Sequence, residues 1–449
     1  MRPSTGTGRV PIGAVCPHQG VRQPRSAARH GTSPYCSNSR PPSGVRCRRC
    51  GPTEDAHNCR RQPMTPTDHG WVVFSRSGCI RRVGGHTGPV LNRNDGTVMI
   101  TTPLHGECRV FLSRTDDART WAVGSQFAAT AASVGHRVGT TTALRPGTTL
   151  VCSADGELSV HRAVPRSSPS GGVPGCSLEQ AMGWLDHGLR TAATEIASSG
   201  RPIRLLLSGG VDSGLLASYL WRAGADVRAL TLRTPWGDEI DGASRTARHV
   251  GLPLDVIDVT AQESTAAIYP CMQHTQSDDA EVITVHLLVT VAFELARACG
   301  ADLVTGLGSD LLNAGSDFGM GAVAGDLNER IDDASASGMM VTGQFTPGPR
   351  MYHPYWSPAL LHIQQSVPAQ LKTVDGIEKY YLRELAAYQL PGETAFGRKV
   401  AIHQGAGLSA GLDGALGEQL AAVCARIRAQ TLDEVPLGDH DVAVGGEQR

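Results

Sequence analysis

Lysine is nearly missing from this chain of 449 residues: only Lys372, Lys379 and Lys399 carry an ammonium, and every other cation bar histidine is arginine. Such a bias fits GC-rich coding. A lysine that survives it marks a place where a compact, flexible point charge is the expected requirement. An apolar run of roughly 18 residues is also missing, so no transmembrane helix is expected. The N-terminus has no apolar core of a secretory signal, and the expected compartment is the cytoplasm. A formal charge of −1 with 40% hydrophobic residues suits a water-facing globular chain and leaves no electrostatic footprint for nucleic acid.

The first 63 residues contain no Leu, Phe, Trp or Lys and are rich in Arg, Pro, Ser and Gly. They cannot bury enough apolar surface to offset chain entropy. A disordered or non-native extension is expected there, with Met64 as the start of the folded chain. Five of the twelve cysteines fall in it: Cys16, Cys36, Cys47, Cys50 and Cys59. Cys47, Cys50, His57 and Cys59 have a spacing that zinc accepts, which is the alternative reading of this stretch. The remaining cysteines show no framework spacing and read as free thiols, Cys271 and Cys299 as helix-packing residues.

From 71 to 162 the chain reads as β-rich. The runs Trp71–Phe74, Val98–Thr101, Cys108–Leu112, Thr120–Val123 and Thr149–Cys152 are short, β-branched or aromatic, and separated by Gly, Asp and Asn. Gln126–Ser133 reads as a short helix. Residues 163–175, rich in Pro, Ser and Gly, read as a linker. Ser177 with Gln180 then forms a capping-box pattern. Apolar positions 178, 182, 185, 189, 192 and 196 mark one helix face.

Residues 176–430 alternate: strand 203–207, helix 214–224, strand 227–232, helix 239–250, strand 254–259. That order predicts an α/β domain with a parallel sheet, its ligands beyond the carboxyl ends of the strands. One such end carries Ser208-Gly209-Gly210-Val211-Asp212-Ser213. Glycines let phosphate oxygens approach main-chain N–H groups, and the following helix adds its free donors and partial positive charge. The loop lacks the GK[ST] of a Walker A motif. A second strand end, Thr305-Gly306-Leu307-Gly308-Ser309-Asp310, leads to another aspartate. Phosphate chemistry on ATP needs Mg²⁺, which takes carboxylate oxygens, and Asp212 and Asp310 can converge on one ion. The structural alternative for Asp310 is a helix N-cap. Residues from about 431 onward read as a frayed tail.

Ser208–Ser213 resembles the PP-loop of the ATP pyrophosphatases. Together with Thr305–Asp310, His353-Pro354-Tyr355-Trp356, Glu378–Arg383 and Arg398-Lys399, it resembles the asparagine synthetase-like enzymes, on the β-lactam and carbapenam synthetase branch. The resemblance implies a PP-loop parallel-sheet domain over 176–430. A shortened, β-rich amidotransferase-like domain over 64–162 would precede it. ATP and Mg²⁺ would be the cofactors. Ser208, Gly209, Gly210, Val211, Asp212, Ser213, Leu232 and Gly306 would bind the nucleotide, Asp212 and Asp310 the metal. Lys379 and Lys399 would contact the phosphates and the reacting centre. Their charge answers a developing oxyanion or leaving pyrophosphate. Lys372 is expected on a solvated helix face.

The departures from the family pattern shape the functional expectation. No cysteine follows Met1 or Met64, so glutamine hydrolysis is not expected. Leu307 stands where β-lactam-forming relatives carry Tyr, and Ser337-Gly338-Met339 lies near the place of its Glu partner. Leu moves no proton. Asp332, Asp333 and His353 are the alternative bases, although a histidine before proline is more often structural. The expected function is an ATP-dependent, AMP-forming amide or lactam synthetase of natural-product metabolism, acting on a small carboxylate and an amine. Amidation of aspartate by ammonia, another PP-loop activity such as tRNA thiolation, and a non-catalytic ATP-binding scaffold are the alternatives. Substrate choice is expected in loops 310–350 and 402–415. Oligomeric state stays open, a homodimer included.

Overall fold

The computed structural model describes residues 72–76, 79–83, 91–94, 97–115, 121–134, 141–153, 157–162, 172–313, 327–342, 348–397 and 402–434. The Cys47–Cys59 spacing, Lys399 and residues 435–449 lie outside them. By contacts the chain divides into residues 1–39 and 40–449, and all described residues belong to the second unit.

The described residues between 72 and 162 form two antiparallel sheets. One has the strand order Cys79–Val83, Val72–Arg76, Trp121–Gly124, Phe111–Arg114, Thr141–Ala143. The other runs Leu91–Asn94, Thr97–Thr101, Thr148–Cys152, Leu158–Arg162. The register Ile100↔Leu150 and Val98↔Cys152 alternates side chains across the second sheet. Ile100, Leu150 and Cys152 then join Val110, Leu112, Trp121 and Val123 in one core. The five runs expected from sequence are the central strands. Among the described residues, the four strands that sequence patterning missed are all sheet edges. Edge strands such as CIRRV and LNRN carry charge and polarity that discourage further pairing, which erases the hydrophobic signal.

The second half is built on a parallel sheet in the order Leu254–Asp258, Val227–Thr234, Ile203–Leu206, Asp302–Val304, Met351–Tyr352. Gly237–Asp238 folds back antiparallel on the second of these. The chain first winds outward from Ile203–Leu206 on one side, then returns to add Asp302–Val304 on the other. The winding therefore reverses between these two neighbours, and the loops that follow them flank the crevice. This is the expected α/β class. Both sheet faces are covered. Leu205 and Leu207 point into a core with the helices Leu178–Ser198, Val211–Arg222 and Tyr380–Ala387. Leu206, Leu230 and Leu232 point into another with the helix Ala280–Ala298.

The helix Leu178–Ser198 starts where its capping box predicts. Gln180 N donates to Ser177 Oγ at 3.1 Å and Ser177 N to Gln180 Oε1 at 2.9 Å. Leu185, Leu189 and Ile196 on its expected face are buried. Other boundaries move. The first crossover helix begins at Val211, inside the glycine loop, so Asp212 and Ser213 already belong to its first turn. Residues 310–350 and 402–415 are not simply loops: Leu327–Ser337, Ile402–Gly405 and Leu408–Leu416 are helical. Their many Gly, Ala and Ser residues mask the apolar period. The C-terminal helix Leu420–Glu434 runs past the expected start of the tail. Cys271 is fully buried, whereas Cys299 caps the end of its helix and is exposed. Among the described residues no helix is long and apolar enough to cross a membrane.

Candidate active site

The glycine loop closes on itself through two hydroxyls. Ser208 and Ser213 Oγ lie 3.0 Å apart, Ser208 N donates to Ser213 Oγ at 3.2 Å, and Gly210 N donates to Ser208 Oγ at 3.2 Å. Gly209 packs backbone to backbone on Gly242 in the first turn of the next helix. A Cβ at Gly242 would sit 2.5 Å from Gly209 Cα. The loop is thus held flat at the head of the Val211–Arg222 helix, which presents its N-terminal amide groups there.

Asp212 is buried, and its partners define the centre. Ser309 Oγ donates to Oδ1 at 2.6 Å, Tyr355 OH donates to the main-chain carbonyl at 3.1 Å, and Lys379 Nζ lies 2.6 Å from Oδ2. The same ammonium lies 2.5 Å from Asp310 Oδ1. Asp310 is the second residue of the short helix Ser309–Leu312, and Gly308 occupies the cap position instead. Two carboxylates from neighbouring strand ends therefore converge on one buried cation.

How Lys379 reaches this point follows from its local sequence. Thr373–Val374 and Ile377–Glu378 pair as a hairpin whose two-residue turn is Asp375-Gly376, both with positive φ. That is the turn geometry Asp-Gly favours. Lys379 itself has φ +58 and ψ 32, left-handed, and precedes the helix Tyr380–Ala387. A left-handed non-glycine residue costs on the order of 1–2 kcal/mol, and the ion pairs of its fully buried ammonium with Asp212 and Asp310 hold it there. Arg383, one turn along, donates to the carbonyls of Glu378 at 2.7 Å, Ala395 at 2.8 Å and Gly397 at 2.9 Å. It thus ties the Lys379 turn to the segment that leads to Arg398-Lys399. Arg383 stood in the sequence pattern, but nothing in its spacing revealed this role.

Around the triad lies a shell of satisfied buried polar groups. Tyr381 OH donates to Asn313 Oδ1 at 2.6 Å, and Asn313 Nδ2 donates to Gln364 Oε1 at 2.7 Å. Lys372 is not solvated as expected. Its Nζ is buried and donates to Leu312 O at 2.7 Å, at the end of the Asp310 helix. Burial, with Arg330 nearby, pushes its pKa down to about 7. The helix Ala369–Lys372 is a single turn, too short for its solvent face to be read from sequence.

A cavity of about 670 Å³ opens beside the triad. Its lining is polar at Ser208, Asp212, Ser213, Gly306, Asp310, Arg330, Asp333 and His403 and apolar at Val282, Val285, Leu307, Met339 and Met340. Of the expected nucleotide residues, Val211 is in the core and Leu232 is 2% exposed. Leu206, on the same sheet face as Leu232, lines the cavity in its place. Of the alternative bases, Asp333 lines the cavity and Asp332 does not. His353 is buried, its Nδ1 2.7 Å from Thr305 Oγ1 and its Nε2 3.3 Å from Val341 O, so its role is structural.

Among the described residues no group of three or more His, Cys, Asp or Glu side chains gathers as a metal cage. Two hard oxygen donors within reach of one cation, beside the Ser208–Ser213 loop, are nevertheless the set that Mg²⁺ uses when phosphate and water oxygens supply the remainder. The donor set fits that ion.

Residues 185–353 match the family model described as asparagine synthase. Over 236 residues the chain is 25% identical to carboxyethyl-arginine beta-lactam-synthase of Streptomyces clavuligerus, covering 51% of this chain and 45% of that protein. The match thus spans less than half the length of that relative. Similar solved structures include NMN synthetase from Francisella tularensis, 13% identical over 57% of this chain and 94% of that one, with a TM-score of 0.30. NH3-dependent NAD synthetase from Campylobacter jejuni is 15% identical over 60% and 100%, with a TM-score of 0.28.

Proposed function

For this asparagine synthetase-like chain, close to the β-lactam synthetase branch, we propose an ATP-dependent, AMP-forming carbon–nitrogen ligase. It joins a small carboxylate to an amine. The observation that carries the reading is the buried Lys379 ammonium between Asp212 and Asp310, next to the Ser208–Ser213 loop. With Mg²⁺ held by the two carboxylates the cluster would be net positive, which suits the stabilisation of charge on a leaving pyrophosphate.

The chemistry runs in two displacements. A carboxylate oxygen attacks the α-phosphorus of ATP, the Pα–O bond to the β-phosphate breaks, and pyrophosphate leaves. The amine nitrogen then attacks the acyl carbon, AMP departs with the bonding electrons, and the nitrogen loses a proton. The loop amides and Ser208 and Ser213 hydroxyls bind the β- and γ-phosphates. Asp212 and Asp310 would hold Mg²⁺, which when bound neutralises phosphate charge. Lys379 orients the two carboxylates and adds its own positive field. Lys399, outside the described residues, is assigned the oxyanion. Leu307 supplies no proton path, so the base falls to Asp333, which lines the cavity. The polar lining residues suit the triphosphate, and the valine and methionine side chains suit the body of the acid.

ATP–pyrophosphate exchange with the full chain, screened over amino acids, β-amino acids and N-carboxyalkyl acids, tests the reading. Exchange that depends on one acid is the expected result. Tight MgATP binding with no exchange under any acid or amine would overturn it in favour of a non-catalytic scaffold. Two variants then separate the roles. Asp212→Ala loses both exchange and MgATP affinity. Lys399→Ala loses exchange by about a hundredfold or more and keeps MgATP affinity. Wild-type activity of either refutes the assignment.

A further inference from the structure

Three histidines lie in a row beside the Met339–Val341 segment. The rings of His274 and His286 are 6.3 Å apart by centroid, and those of His286 and His353 are 6.5 Å apart. They come from the helix Ile268–Thr275, the helix Ala280–Ala298 and the end of the strand Met351–Tyr352. Burial depresses all three pKa values, to about 3, about 4 and about 3 in that order, so each ring is neutral at neutral pH. Nothing in the ligase reading uses them.

Their hydrogen bonds fix the tautomers. His286 Nε2 lies 2.5 Å from Met339 O, and His353 Nε2 lies 3.3 Å from Val341 O. A carbonyl oxygen only accepts, so both Nε2 atoms carry the proton. His353 Nδ1 must then accept, and Thr305 Oγ1 donates to it at 2.7 Å. That hydroxyl oxygen in turn accepts from Leu307 N at 3.3 Å. An unbroken path thus runs from the Thr305–Leu307 turn, through His353, to the Val341 carbonyl. His274 faces the same Val341 backbone. The segment between the two clamped carbonyls holds Met340, and Met339 and Met340 both line the cavity. Thr342 N also donates to Glu107 O at 3.2 Å, so the segment is anchored at its far end as well.

Residues 339–342 form neither helix nor strand, so no ladder of their own fixes them. Side-chain donors take that place. We propose that His286 and His353 are positioning residues: they hold the Met339–Val341 backbone against the Thr305–Asp310 turn and so set the methionine wall that receives the acid co-substrate. His286, bonded to the Met339 side of the clamp, acts on that co-substrate and leaves MgATP binding alone. The identity of the wall's ligand rests on the ligase reading; the clamp itself does not.

The test uses the full chain labelled with methyl-¹³C methionine, with wild type, His286→Leu and His286→Gln compared. Met339→Leu and Met340→Leu assign the two signals among the nine methionines. In His286→Leu the Met339 and Met340 methyl resonances shift or broaden, while MgATP affinity by calorimetry stays at the wild-type value. With the acid that supports pyrophosphate exchange, its KM rises by about tenfold or more while the KM for ATP does not change. His286→Gln, whose amide nitrogen can occupy the Nε2 position, restores both the resonances and the KM. Unshifted methionine signals in His286→Leu, absence of rescue by Gln, or an equal loss of MgATP affinity would each overturn the proposal. If His286→Leu does not fold, His286→Gln decides: it must retain wild-type methionine signals. If no acid supports exchange in wild type, the ligase reading fails, and the methionine signals still decide the clamp.

Discussion

Lys379→Met lowers the thermal unfolding midpoint by on the order of 10 °C and abolishes pyrophosphate exchange. Met has nearly the length of Lys and leaves little void, so the loss reports charge rather than packing. Lys379 is fully buried, with the Asp212 and Asp310 carboxylates at 2.6 and 2.5 Å. Removing one partner of a buried ion pair costs about 3–5 kcal/mol, because the remaining charge keeps its desolvation penalty without its attraction. Here two carboxylates are left facing each other. Part of the strain at the left-handed Lys379 backbone persists in the variant, which no longer has an ion pair to offset it. MgCl2 raises the midpoint of Lys379→Met more than that of wild type, since a divalent ion restores the missing charge between the same two carboxylates. EDTA removes the difference. A midpoint equal to wild type, read by differential scanning calorimetry with and without magnesium, would show that the triad does not bear on the folded state.

What sequence made legible and what it hid divide along one physical line. The glycine loop and the second strand end were readable because their chemistry is local: an apolar run, a turn and a helix start lie within a few residues of each other. The parallel order of the sheet followed from alternation along the chain. The meeting of Asp212 with Asp310 follows from the reversal of winding between their strands, which alternation alone leaves open. Lysine scarcity singled out Lys379 as a candidate, and the structure buries it between Asp212 and Asp310, whereas Lys372, expected on a solvated helix face, is buried as well. Scarcity says that an ammonium is retained, not whether it faces a ligand or a helix-end carbonyl. Only tertiary contacts distinguish the two, and they put Lys372 on Leu312 O. His353 illustrates the converse. Its position before proline marks it as structural, and its partners Thr305 and Val341 give that role content.

Gly242 was invisible to every sequence signal, and its substitution supplies the other large expected effect. It sits in the first turn of the helix Ile240–Val250, where replacing Gly by Ala ordinarily stabilises by about 1 kcal/mol through helix propensity. The contact with Gly209 reverses the sign. A Cβ at Gly242 would meet Gly209 Cα at 2.5 Å and the Gly209 carbonyl carbon at 3.5 Å, both backbone atoms with no rotamer to move aside. Either the helix start or the phosphate loop must shift, and the loop, resting on two serine hydroxyls, is the softer element. Gly242→Ala therefore weakens MgATP binding by about a hundredfold, the loss that a displacement of roughly 1 Å at a positioned site produces. The fold survives, because the helix gains propensity as the loop moves. Gly209→Ala, whose Cβ would lie 3.1 Å from Gly242 Cα, gives a smaller loss from the other side of the same contact. Calorimetric titration of MgATP into both variants checks the order. Wild-type affinity in Gly242→Ala would mean that the loop's shape is not set by this glycine pair, and the anion-binding role would then rest on the helix N-terminus alone.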